Sequence, residues 1–297
     1  MKRFAVYTTV VGSYDDVRQP LVVDDRFDYI LFSNDTCVDK AGVWEVRHIP
    51  FEDSNGMILS RYGKCHPTEL LHEYEASLYL DANVQIAAPS VYGRFMELVD
   101  SGVEWAGINH PDQHCIYDEI CAILDLRWVH DYDVVEWYAE LKRSGFPEDW
   151  GLYENNVIFR RHSDKVARID NAWWKSLLNG CKRDQFSLMY FIWRENPVKA
   201  FFLPEDECPR LGSDSFKYFQ HNPHKRRVEL GFSEKIRSGC MRVAAPDVRV
   251  GYHELFDKLS TYRHPLLMLY LWQCYAMTVY GPKVLVRSLG YHLFNKI

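Results

Sequence analysis

Asp81 and Asn83 stand one residue apart where an apolar run, "SLYL", breaks off before resuming as Val84 and Ile86. Two side-chain oxygens at that spacing can grip one hard divalent cation, and the cation can hold a diphosphate. In an extended chain, residues 81 and 83 share one side. The competing reading is a turn, because Asp and Asn side chains readily bond nearby backbone. The apolar residues before Asp81 weigh toward a ligand, since burying an unpaired carboxylate is costly.

Other segments carry chemistry of the same kind. "RDQFSLMYF" (183–191) sets Arg183, Asp184 and Gln185 before an apolar helix. Asp184 suits a helix cap, or a cleft-facing group that orients a sugar hydroxyl or accepts a proton. Gln185 would then lie near the reacting carbon. "RYGKCHP" (61–67) brings Arg61 and Lys64 onto one helical face, where they meet either a diphosphate or solvent. "GLYENNVIF" places Glu154 and Asn156 on one side of a strand end, for sugar hydroxyls or as an ordinary polar edge. "FQHNPHKRR" offers His221 or His224 to complete a cation's shell and Lys225 to meet phosphate; alone, it reads equally as a surface turn. Thr8 ends the first strand and Tyr14 follows in a loop suited to a base and ribose. No Walker loop and no G-x-G-x-x-G is present, which removes the usual support for ATPase and dinucleotide readings.

"NHPDQHCIYDEI" (109–120) concentrates His110, His114, Cys115 and Glu119, but at no zinc-signature spacing. It reads as a loop in which His110 and His114 face sugar or acceptor. A metal-dependent hydrolase centred on His110, His114 and Glu119 is the rival reading. A non-catalytic sugar-binding module is another.

These residues need a scaffold. Strand patterns at 4–12, 28–34, 43–50, 77–86, 103–109 and 153–161 alternate with helical patterns at 55–73, 90–102, 117–127, 131–144, 163–179 and 184–195, with Pro67 interrupting the first. Such alternation predicts an α/β fold with a mostly parallel sheet flanked by helices. Ligands in such sheets bind outside the carboxyl ends of the strands, where Asp81 and Asn83 would lie. A catalytic domain over 1–225 and a basic, largely helical appendage over 226–297 are expected.

The 297 residues carry a net charge of −6. That total hides a body (1–220) with 23 Lys and Arg against 36 Asp and Glu, and a tail (221–297) with 12 against 5. The acidic body argues against nucleic acid as a partner; the basic tail suits an anionic surface such as lipid headgroups. Eight scattered cysteines without a C-x-x-C pair read as reduced thiols. "MKRFAVYTTVVGSYDD" reads as a buried first strand rather than a signal peptide. Residues 264–282 hold no Asp, Glu, Lys or Arg. They read as a helix packed on the domain or lying in a membrane interface rather than as a span.

In register, "YTTVVGSYDD", "DYILFSND", "RYGKCHP", "SLYLDANVQI", "HPDQHCIYDE", "GLYENNVIFRRH" and "RDQFSLMY" resemble a glycosyltransferase-like domain family of bacterial polysaccharide and plant proteins, first catalogued as a domain of unknown function. The chain is similar, more distantly, to family-8 glycosyltransferases. The resemblance covers about residues 4–225 and implies a GT-A-like, Rossmann-like fold and hexosyl transfer from a nucleotide sugar, UDP-linked by the same resemblance. It further implies manganese or magnesium, and a glycan or lipid-linked acceptor in polysaccharide, capsule or glycolipid assembly at the cytoplasmic face of a membrane. "DAN" takes the place of a D-x-D motif, with Asp81, Asn83 and His221 as metal ligands. Asn83 departs from the second aspartate of that motif. Asp184 and Gln185 take the sugar-binding and reaction-centre places, and Glu154 or Asp184 would serve as base if configuration inverts.

Overall fold

The protein is described from a computed structural model that covers residues 3–12, 14–35, 40–180, 183–221, 227–245 and 247–294, with backbone alone at 244 and over 281–294. In chain order the first half contains β1 (Phe4–Val10), β2 (Phe27–Ser33), β3 (Lys40–Ala41), β4 (Trp44–His48), α1 (Gly56–Cys65), α2 (Pro67–Leu70), β5 (Ala76–Leu80), β6 (Val84–Ile86), α3 (Ser90–Asp100), β7 (Trp105–Asn109), α4 (Ile116–Asp125) and α5 (Asp131–Ser144). Then come β8 (Tyr153–Arg161), α6 (Asp164–Asn179), a 3-10 turn at Asp184–Phe186, α7 (Leu188–Glu195), β9 (Lys199–Phe201), β10 (Phe216–Tyr218), α8 (Phe232–Ala244), α9 (Val248–Ser260) and α10 (Pro265–Phe294).

The elements gather into two compact units. Residues 1–113 and 151–224 form the first, around an eight-stranded sheet of order β3-β4-β2-β1-β5-β8-β7-β9. Strands β4, β2, β1 and β5 run parallel; β8 runs antiparallel to both β5 and β7. This is the α/β fold with a mostly parallel, helix-flanked sheet that the alternating patterns predict. Strand parity divides its two faces. On one face Val6, Leu31, Leu78 and Phe159 join the main apolar core, and Phe95 of α3 sets its ring against Phe4, Phe27 and Phe159 at 4.8–5.2 Å. On the other, α1 approaches so closely that a Cβ on Gly63 would stand 2.5 Å from the Thr9 hydroxyl oxygen. A glycine is needed there by packing alone.

The interruption at Pro67 is real: α1 ends at Cys65, and Pro67 starts α2, where a missing N–H costs nothing. Ser90 is the first residue of α3, and Pro89 holds the cap position.

The second unit contains residues 114–150 and 225–297. Helices α4 and α5, expected inside the 1–225 domain, therefore group with the C-terminal helices. Asp131 of α5 and Arg237 of α8 form a buried two-bonded pair at 2.7 and 2.8 Å. No helix among the described residues is long and apolar enough to cross a membrane.

Candidate functional site

The site lies in the first unit, on the α1 face at the carboxyl end of β5. Asp81 follows the last residue of β5. Its backbone N–H donates to the Asn156 carbonyl of β8, and its own carbonyl accepts from Val84 N–H, both at 2.8 Å. Residues 81–84 are thus a tight turn, not the extended segment that period-2 spacing implied. The turn chemistry of Asp and Asn prevails here. The same turn still leaves both side chains at the strand end.

Asp81 uses one oxygen for protein. Its Oδ1 accepts from Tyr79 hydroxyl at 2.8 Å and from Lys64 Nζ at 3.2 Å, and among the described residues no bond is made to Oδ2. The side chain is 27% exposed, so Oδ2 remains available to a ligand. Asn83 is buried; its Nδ2 donates to the Phe219 carbonyl at 2.9 Å, while its Oδ1 has no partner among the described residues. An orphaned buried carbonyl is unfavourable unless something else satisfies it.

His221 arrives at the same place. Its Nε2 lies 3.4 Å from Asn83 Nδ2, and its Nδ1 is 2.8 Å from Asp15 Oδ2. A proton on Nδ1 donated to Asp15 leaves Nε2 as an acceptor for the Asn83 Nδ2 amide. A carboxylate that orients a histidine in this way is the usual support for a metal-binding imidazole. Asp15 was visible in the sequence only as part of a polar turn. Tyr14 places its ring 5.5 Å from that of His221. Of the expected donor set of Asp81, Asn83 and His221, the structure brings the Asn83 and His221 side chains together, while among the described residues no hydrogen bond joins the Asp81 side chain to either. His224 and Lys225 lie outside the described residues.

Next to this turn sits a buried charge cluster. Lys64, 1% exposed, places Nζ 2.8 Å from Asp184 Oδ2 while also holding Asp81. Its ammonium is 5.0 Å from the Tyr79 ring centre. The expectation that Lys64 reaches outward to a diphosphate is corrected: packing buries its head between two carboxylates, which satisfy it. Arg61 Nη2 stands 3.3 Å from Asp184 Oδ1. Burial alone would raise the Asp184 pKa, but the charges of Arg61, Lys64 and Arg183 override it and hold the carboxyl well below its ordinary range.

Asp184 does not cap a helix. It opens the 3-10 turn, whose cap residue, Arg183, makes no side-chain cap bond. The turn is held from behind by Trp173 of α6, whose indole N–H donates to the Asp184 carbonyl at 3.0 Å. Gln185 is set by Arg183, which donates to its Oε1 at 2.7 Å. Lys64 is held likewise: its carbonyl accepts from Arg160 Nη1 at 2.7 Å and from Tyr7 hydroxyl at 3.3 Å. Arg160 is itself buried against Asp170 at 3.1 Å.

Antiparallel pairing places Asn156 opposite Asp81, on the same face. Both polar atoms of its buried side chain lack partners. Glu154 binds Arg210 Nε at 3.1 Å and accepts the Cys208 thiol proton at 2.7 Å. Burial raises its pKa, against the lowering pull of Cys208 and Arg210. Glu154 and Asp184 are thus driven in opposite directions. Thr8 points to the opposite, α3 face, with Oγ1 buried and unpartnered. A cleft of about 470 Å3, lined by Asn34, His48, Phe51, Asp53 and Leu59, opens beyond β2 and β4. None of its lining residues belongs to the Asp81–Asp184 cluster, and none stood out in the sequence.

His110 closes a turn, with Nδ1 accepting from Gln113 N–H at 3.0 Å. His114 and Glu119 belong to the second unit. Among the described residues, the group of His, Cys, Asp or Glu side chains that comes within mutual ligating distance is Cys115, Asp118 and Asp149, and not the trio expected of a hydrolase.

Compared with models of known protein families and with curated proteins, the chain matches none.

Proposed function

We propose that this chain is a glycosyltransferase, moving a sugar from a nucleotide sugar, UDP-linked by the resemblance, to a glycan or lipid-linked acceptor with the help of manganese or magnesium. One observation carries the reading. The buried Asn83 oxygen lacks a partner beside an imidazole that Asp15 orients, at the strand end where Asp81 keeps one oxygen open.

Asp81, Asn83 and His221 would hold the cation. When bound, it would neutralise the diphosphate as the leaving group departs. Asp184, kept anionic by its three cationic neighbours, would favour the positive charge that develops at the anomeric carbon. Lys64 ties Asp81 to Asp184 and so fixes the distance between the leaving-group end and the sugar end of the site. Asn156 and Gln185 supply hydrogen bonds for sugar hydroxyls. Glu154, whose pKa is raised, is suited to exchange a proton with the acceptor. Opposed carboxylate environments of this kind favour catalysis over a module that only binds sugar.

A thermal-shift screen of nucleotide sugars, with and without manganese, tests the proposal. A donor that binds the native state raises the transition by mass action. Manganese-dependent stabilisation followed by slow release of the nucleoside diphosphate is expected. Stabilisation by free glycans alone, with no donor turnover, would favour the binding module. Tightly held zinc with no response to nucleotide sugars would favour a hydrolase.

A further inference from the structure

In the second unit, α10 presents a bare apolar face. One side of it packs inward: Leu269 and Ala276 are buried, and Trp272 and Tyr280 lie against a cluster containing Ile236 and Cys240 of α8. The other side carries Leu266, Leu267, Tyr270, Leu271, Tyr275 and Val279, all exposed, with Tyr275 at 62%. Positions 267, 270, 271 and 275 share one helical stripe. From His264 to Pro282 no residue is charged, so this helix lacks the polar face that a solvent-facing helix normally has. A helix that is apolar all round is ordinarily covered all round.

We propose that an anionic lipid surface covers this face, with α10 lying in the headgroup region along the plane of the membrane. Charge decides between this occupant and a second copy of the chain. From Lys258 to Ile297 the sequence holds five cations, Lys258, Arg263, Lys283, Arg287 and Lys296, and no acidic side chain. Lys258 and Arg263, both exposed just before this face, and a sequence that stays free of acidic residues through it favour an anionic partner over a second copy of the same charge. A bilayer rich in anionic lipid offers the opposite charge. The exposed tyrosines agree, because amphipathic rings concentrate at the boundary between hydrocarbon and water. An amphipathic contact of this kind needs apolar insertion and cationic flanks together. The inference does not depend on sugar transfer.

The full chain is sedimented with vesicles of phosphatidylcholine alone and with vesicles that also contain phosphatidylglycerol. Binding to the anionic vesicles, weakened by added salt, is expected. A variant combining Leu267→Ser, Tyr270→Ser, Leu271→Ser and Tyr275→Ser should bind about tenfold more weakly or less well still. Its circular dichroism and thermal transition should match those of the parent, since the replaced side chains are exposed. Equal binding to neutral and anionic vesicles would overturn the proposal, as would no binding to either. So would a variant that sediments like the parent. A parent dimer that the same substitutions dissociate would identify the second copy as the occupant instead.

Discussion

Lys64 is the residue on which the site turns. Its ammonium is almost wholly buried and meets two carboxylates, Asp184 at 2.8 Å and Asp81 at 3.2 Å. Removing one member of a buried ionic group leaves the others desolvated and unbalanced, typically at about 3–5 kcal/mol. Lys64→Met should therefore lower unfolding stability by about 3 kcal/mol in urea titration and should abolish donor turnover. Nothing near Lys64 in the sequence forecasts this role, because Asp184 lies 120 residues away. The Asp15–His221 contact spans 206 residues and was equally illegible. By contrast, Asp81 and Asn83 could be singled out because they interrupt an apolar run, and Asp184 because it stands just before one. A second residue-scale prediction concerns pH. His162 is half-buried beside Ser77, and desolvation followed by the Arg160 charge lowers its pKa to about 4. The unfolded chain takes up a proton near pH 6.5 that the folded chain refuses. Stability is thus full above pH 6.5 and falls as pH drops toward 4, with about 2 kcal/mol lost between pH 7 and 5 from this group. Urea midpoints for the parent and His162→Gln at both pH values would isolate that loss; a slope unchanged by the substitution would refute it.

Among elements, α1 sets the geometry. It carries Arg61 and Lys64, and it reaches the sheet through Gly63 against Thr9. Gly63→Ala should push the helix from β1 and destabilise the protein by about 1–3 kcal/mol, as overpacking does. Donor turnover should fall by more than the loss of folded protein explains, because Lys64 moves with the helix; equal specific activity would contradict this. The element boundaries were largely legible, since strand and helix periodicities differ and Pro67 and Gly102 punctuate them. Two local conformations were not. The Asp81–Val84 segment has strand-like neighbours on both sides, and only the bond between its own backbone groups makes it a turn. The Asp184 segment has the composition of a capped helix start, yet three nearby cations recruit its carboxylate instead. In both places a tertiary contact prevailed over local preference.

At the scale of the whole molecule, the alternation of strands and helices pointed correctly to an α/β sheet, while the change of charge sign near residue 221 falls close to only one of the junctions between the two compact units. The regrouping of residues 114–150 with the C-terminal helices was not legible, because no linker or compositional break announces it. The first unit contains Asp81, Asn83, His221, Asn156, Asp184 and Gln185, whereas His114, read in the sequence as facing sugar or acceptor, falls in the second. The most direct measurement is calorimetric titration of a UDP-sugar, with and without manganese, into the parent and Asp81→Asn. The account predicts manganese-dependent binding by the parent and its loss in Asp81→Asn, while the ligand-free thermal transition changes little. Equal donor affinity for the two proteins in manganese would contradict it.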